Sequence, residues 1–148
     1  MACYIAYVRT PRAPHDVFGF MADLRNFADW DPGVRRVVQV EGEGGGPDAV
    51  FDVTVRGGVR DLTLRYRTEA YLPPGRLVVV AETAILHSDD RIVVEPDEGG
   101  SIVTYDARLH LRGPLKIADG ALQRSFDRIG ERAASGLCEA LDGERVER

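Results

Sequence analysis

Only two of the 148 residues are cysteine, only one is tryptophan and only one, Lys116, is lysine. Cys3 and Cys138 stand near opposite ends of the chain, with none of the spacing of a disulfide framework, a zinc site or a redox pair, so reduced thiols are expected. The near absence of lysine beside eighteen arginines resembles the codon bias of a GC-rich genome and carries no mechanism. Basic residues occur singly or in pairs such as Arg35 and Arg36, and the net charge is −5, so there is no stripe to follow a phosphate backbone and nucleic acid is not an expected partner. No apolar run reaches membrane-spanning length, which argues against stable membrane insertion. The apolar stretch from Ala2 to Val8 lacks a basic leader and runs into Arg9, so a cytoplasmic protein is expected. The three histidines share no metal-ligand spacing, and Gly42 to Gly46 lacks the lysine and following helix of a phosphate loop. No metal or other cofactor is implied.

What remains is an ordinary globular composition, 44% hydrophobic and 29% charged, at a length that suits a single domain over residues 1–148. Cys3 to Arg9 is β-branched and aromatic and reads as a strand, stopped by Pro11 and Pro14. From Pro14 the period turns helical, with Val17, Phe20, Met21 and Leu24 on one face, and a second short helix is predicted over Asn26 to Trp30 before Asp31, Pro32 and Gly33 break it. Six further strands are predicted at Val34 to Glu41, Val50 to Arg56, Asp61 to Leu72, Arg76 to Ile85, Asp89 to Glu95 and Ser101 to Arg112, separated by glycine and proline turns. Short connections favour antiparallel pairing. The last segment opens at Gly113 and Pro114 and keeps an apolar stripe at Leu115, Ala118, Leu122, Phe126, Ile129, Ala133, Leu137 and Leu141, a long helix that must bury that stripe on the sheet.

Parity sorts the strand residues. Val103, Tyr105, Ala107, Leu109 and Leu111 oppose Thr104, Asp106, Arg108, His110 and Arg112, so the first set faces the helix. Leu62, Leu64, Tyr66, Thr68 and Ala70 fall inward in the same way, as do Leu77, Val79, Ala81 and Thr83, and then Asp90, Ile92 and Val94. A dry core would be aliphatic throughout. Here Tyr66, Thr68, Thr83, Asp90 and Tyr105 interrupt it, and buried polar groups need partners: one another, a ligand or water.

The order of strand, two short helices, six strands and long helix resembles that of the START-like or SRPBCC superfamily, and so do particular residues. Ala13 to Phe18, Asp23 to Phe27 and Trp30 to Val34 are similar to its helix pair and bend. Gly99 to Tyr105, Leu111 to Leu115, and Phe126 with Arg128, Ile129 and Gly130 are similar to its last strand and final helix. The branch most resembled is the bacterial polyketide cyclase/dehydrase-like one. The resemblance implies an α+β helix-grip fold, a curved antiparallel seven-stranded sheet with a cavity beneath the C-terminal helix.

It also implies a small hydrophobic ligand, such as a lipid or polyketide. The expected lining is Trp30, Leu64, Tyr66, Thr68, Val79, Thr83, Asp90, Ile92, Tyr105, Leu109, Leu122 and Phe126. Three readings stay open: a binding or carrier protein; a polyketide aromatase/cyclase with Asp90, Tyr66 and Tyr105 as candidate catalytic groups, for which an acyl carrier protein would be a partner; and a protein-interaction module with a vestigial cavity. His87, Ser88 and Asp90 invite a triad reading, but triads are assembled across space and this cluster reads as a hairpin end. Trp30 is either a staple of the helix-to-strand bend or a lip of the cavity.

Overall fold

Prolines and glycines cut the chain where it turns, and side-chain period decides what lies between the cuts. A computed structural model describes residues 1–114 and 119–148. Its elements are β1 (Ala2–Thr10), α1 (Pro14–Ala22), a 3-10 turn at Leu24–Asn26, α2 (Phe27–Trp30), β2 (Val34–Glu41), β3 (Val50–Val55), β4 (Leu62–Leu72), β5 (Arg76–Glu82), β6 (Leu86–Asp97), β7 (Gly100–Leu111), α3 (Asp119–Leu141) and β8 (Glu144–Val146). The strands form one antiparallel sheet in the order β2-β3-β4-β5-β6-β7-β1-β8. This is the α+β helix-grip architecture, with eight strands rather than seven. The added strand, β8, covers only three residues, too few to show a period, and pairs with Tyr7, Val8 and Arg9 after the chain reverses through Asp142 at φ 53°.

Three other expectations need correction. β5 ends at Glu82, and the hairpin turn is Thr83–Ile85, so β6 starts three residues early and contains His87 and Ser88. The Thr83 hydroxyl accepts the backbone N–H groups of Ile85 at 3.2 Å and Leu86 at 3.1 Å, a local side-chain turn that takes the residue out of the strand. β6 also runs through Pro96, because beyond Val94 it pairs only with β7 and a missing N–H on the free side removes no ladder bond. In β4 a bulge lies between Thr68 and Ala70: Thr68 faces Val79, but Ala70 faces Val78. The extra residue reverses parity, so Tyr71 rather than Ala70 turns inward, where its ring meets Phe18 at 5.4 Å.

Of the α3 stripe, Leu115 and Ala118 lie outside the described residues. Ala133, Leu137 and Leu141 are buried, Leu122 and Phe126 half-buried, and Ile129 is 44% exposed. The helix is seated by its C-terminal half. Gly130 lies on the ring of Tyr4 and Gly136 on the carbonyl of Trp30, and a Cβ at either position would collide. These contacts hold α3 over β1 and α2. Its first half stands away from β3, β4, β6 and β7, and the space beneath is the cavity described next.

Candidate functional site

The concave face of the sheet, the bend after α2 and the first half of α3 enclose about 700 Å³. Most of the wall is apolar: Leu24, Phe27, Val53, Leu64, Leu86, Ala107, Leu109, Leu122, Phe126 and Ala133. Val55, Arg56, Leu62, Ile129 and Arg132 also line it, contributed by the β3–β4 end of the sheet and by α3.

The polar floor follows from register. Across the sheet Phe51, Tyr66, Ala81, Ser88 and Leu109 form one row. Ala81 is small, so the Tyr66 ring reaches over it and its hydroxyl meets Ser88 Oγ at 2.7 Å. In the next row Val79 faces Asp90, which faces Ala107. Tyr105 sits opposite Ile92, diagonal to Asp90, and donates its hydroxyl to Asp90 Oδ2 at 2.9 Å. Tyr66, Asp90 and Tyr105 are 8%, 7% and 7% exposed, so the groups meet in a region of low dielectric.

Burial dominates the electrostatics. It pushes the Asp90 carboxyl up to about 7; the Tyr105 hydroxyl opposes this, while repulsion from Asp31, Asp89 and Asp106 adds to it. The phenols of Tyr66 and Tyr105 are raised by the same burial and by Asp90, and stay protonated. Asp31, on the bend after α2, also lines the cavity; burial raises it, and the backbone N–H of Gly33, donating to its Oδ1 at 2.8 Å, partly offsets the rise. Tyr4, from β1, borders the far side, donates to Glu131 at 2.6 Å and is pushed up to about 12, mainly by burial. Chemically, the floor offers three hydroxyls, a carboxyl that changes charge near neutral pH, and a second carboxyl near the bend. Among the described residues no group of three or more His, Cys, Asp or Glu is placed to hold a metal.

Of the twelve expected lining residues, Leu64, Tyr66, Asp90, Tyr105, Leu109, Leu122 and Phe126 face this cavity. Val79 and Ile92 have the inward parity but are sealed in the core, at 1% and 0% exposure. Thr68 lies in the row of Asp90, on the other side of Val79, its hydroxyl buried without a hydrogen bond, and Thr83 is in the hairpin turn. Trp30 is buried at 2%, its ring edge-on to Tyr105 at 5.4 Å and tilted on Phe27 at 4.7 Å. It packs the bend and supports Tyr105 from behind, so it is the staple; it borders a separate outer groove of about 670 Å³ between α2 and α3.

His87 falls on the opposite face from Ser88 and Asp90, where it pairs with Glu82 at 2.9 Å, so no triad forms. Sequence reasoning missed Ser88, Asp31 and Tyr4. Ser88 shares Asp90's parity and follows from extending β6 by three residues. Asp31 sits in a bend, where no period exists to place it.

No curated protein matches the chain. Solved structures do. TTHA0849 from Thermus thermophilus superposes with a TM-score of 0.75 at 16% identity, covering 95% of each chain. A START superfamily protein from Mycobacterium smegmatis superposes with a TM-score of 0.71 at 10% identity, covering 96% of this chain and 98% of that one. The di-domain ARO/CYC StfQ from the steffimycin biosynthetic pathway superposes with a TM-score of 0.71 at 15% identity, covering 95% of this chain and 50% of that one. At such identities these likenesses carry the fold alone. The family described as polyketide cyclase / dehydrase and lipid transport matches residues 5–141, nearly the whole sheet together with α3, and to that START-like family the chain belongs.

Proposed function

We propose that the protein binds a small, mostly apolar molecule in the cavity between sheet and α3, holding the molecule's polar end against Asp90, Tyr105, Tyr66 and Ser88. The observation that carries this reading is about 700 Å³ of space with aliphatic and aromatic walls and a hydrogen-bonding floor. Protein interiors leave few voids larger than a water molecule, and apolar pockets with a few convergent polar groups are the usual form of a small-molecule site. Leu64, Leu109, Leu122 and Phe126 would contact the body of the ligand. A neutral naphthyl dye should be taken up and displaced by apolar molecules, and mass spectrometry under native conditions should find the occupant that travels with the protein. Folded protein that takes up no dye and carries no occupant sinks the reading.

One observation favours a second reading, a polyketide aromatase/cyclase. A carboxyl pushed up to about 7 inside an apolar cavity is matched to general acid–base work at neutral pH. Asp90 would then move the proton of an enolising ketone, with Tyr105 and Tyr66 donating to ketone oxygens and an acyl carrier protein presenting the chain. Asp90→Asn should in that case depress turnover of a poly-β-ketone more than its affinity.

A further inference from the structure

The aspartates that are at least partly buried divide, among the described residues, into two kinds. Five partly buried aspartates each rest on an arginine: Asp23 on Arg25 at 2.6 Å, Asp52 on Arg65 at 2.8 Å, Asp89 on Arg91 at 3.2 Å, Asp97 on Arg9 at 3.0 Å and Asp106 on Arg108 at 2.9 Å. The two that face the cavity have no such partner. Among the described residues Asp90 receives one hydrogen bond, from Tyr105 to Oδ2, which leaves Oδ1 without a donor; Asp31 receives only the Gly33 N–H. The cavity's arginines, Arg56 and Arg132, form no ion pair with either, and Arg56 donates its Nε to the carbonyl of Pro32 at 2.9 Å. Buried carboxylates normally carry a counter-charge, because ionising one without it is costly.

We propose that the missing counter-charge belongs to the ligand: the cavity selects a lipophilic amine, whose ammonium donates to Asp90 Oδ1 and lies in the negative field of Asp31. This inference rests on the proposed cavity-binding function and names the chemical class of its ligand. The same arrangement rejects a carboxylate at the inner end, where it would meet Asp90 and Asp31 with no cation to offset them. Asp90 enters the complex ionised, so at pH 6 to 7 amine binding releases a proton to solvent. The groups acting on Asp90 are Asp31 from the bend, Asp89 beside it on β6, Tyr105 and Asp106 from β7 and Tyr66 from β4, with Arg56 and Arg132 elsewhere on the wall.

The test is displacement of N-phenyl-1-naphthylamine, a neutral dye, from the full chain by decylamine, 1-decanol and decanoic acid. Decylamine should compete about tenfold more strongly than decanol, with decanoic acid weakest. Its affinity should rise between about pH 5.5 and 8 as Asp90 loses its proton, whereas decanol's should not. Titration calorimetry in buffers of different ionisation enthalpy should show proton release with the amine alone. Asp90→Asn should abolish the amine preference, so that decylamine competes no better than decanol on the variant. If decanol displaces the dye and decylamine does no better, the amine assignment is overturned and the binding function stands. If the dye does not bind at all, both fall. Because the ligand comparison is made on the unaltered protein, it does not depend on the variant folding.

Discussion

Replacing Asp90 by asparagine should make the protein more stable at neutral pH, and by an amount that depends on pH in a defined way. Asparagine keeps the shape and still accepts the Tyr105 hydroxyl, but has no proton to lose. In the wild type the carboxyl is pushed from 3.8 up to about 7 on folding. The folded state therefore holds a proton that the unfolded state has lost at every pH between those values. Stability that this proton confers is complete below about pH 4 and is lost as pH rises to about 7. At 1.36 kcal/mol per pH unit the loss amounts to roughly 4 kcal/mol, a large share of the 5–15 kcal/mol typical of a domain. The variant should thus lie close to the wild type near pH 4, exceed it by about 2 kcal/mol at pH 5 and by about 4 kcal/mol at pH 7, and gain little more above that. Urea unfolding of both proteins across this range measures the difference, and taking the difference cancels the other carboxyls. Those include Asp23, Asp52 and Glu131, which are lowered by their partners and act in the opposite sense. A stability difference that stays flat from pH 4 to 8 would refute the reasoning, because it would mean that Asp90 is ionised throughout and that water or a cation reaches it.

Three further outcomes are expected. Ser88→Ala leaves the Tyr66 hydroxyl buried without a partner and should cost about 1–3 kcal/mol, most of which the double variant with Tyr66→Phe should recover; a double-mutant cycle by denaturant unfolding reads the coupling, and strict additivity would deny the bond. Gly136→Ala should cost more stability than Gly130→Ala, since the first collides with the Trp30 backbone and the second with a tyrosine ring that can tilt, as thermal melts of the two proteins would report; the reverse order would show that α3 is not held against α2. Leu137→Ala should cost about 2–5 kcal/mol, whereas Phe126→Ala, at a half-buried position on the cavity wall, should cost less than that and weaken dye uptake more; equal losses of stability would show that α3 grips the sheet along its whole length.

Period-2 alternation along β7 and the first part of β4 was enough to turn Val103, Tyr105, Leu64 and Tyr66 toward the helix, and the 3.6-residue stripe was enough to bury Leu137 and Leu141. These signals are local: each strand or helix carries its own period, and burial of one face follows whatever the partner is. The order of elements added the helix-grip fold by resemblance. Depth in the cavity was beyond reach for a physical reason. Val79 and Asp90 share a parity and a row, yet one is sealed beneath its neighbours and the other reaches open space, because the small side chains of Ala81 and Ala107 stand beside the polar groups and α3 stands away there.

That separation is set by where Gly130 and Gly136 let the helix touch Tyr4 and Trp30, contacts between residues far apart in the chain that no local period encodes. The bulge at Glu69 shifted a parity that simple counting carries forward unchanged, and the hydroxyl-closed turn at Thr83 took that residue out of the strand. The same holds for charge. Sequence alone shows Asp31 and Asp90 as two acids among many. Only the tertiary structure takes them away from the arginines that neutralise Asp52, Asp89 and Asp106 and brings both to one cavity, where burial rather than pairing decides their ionisation.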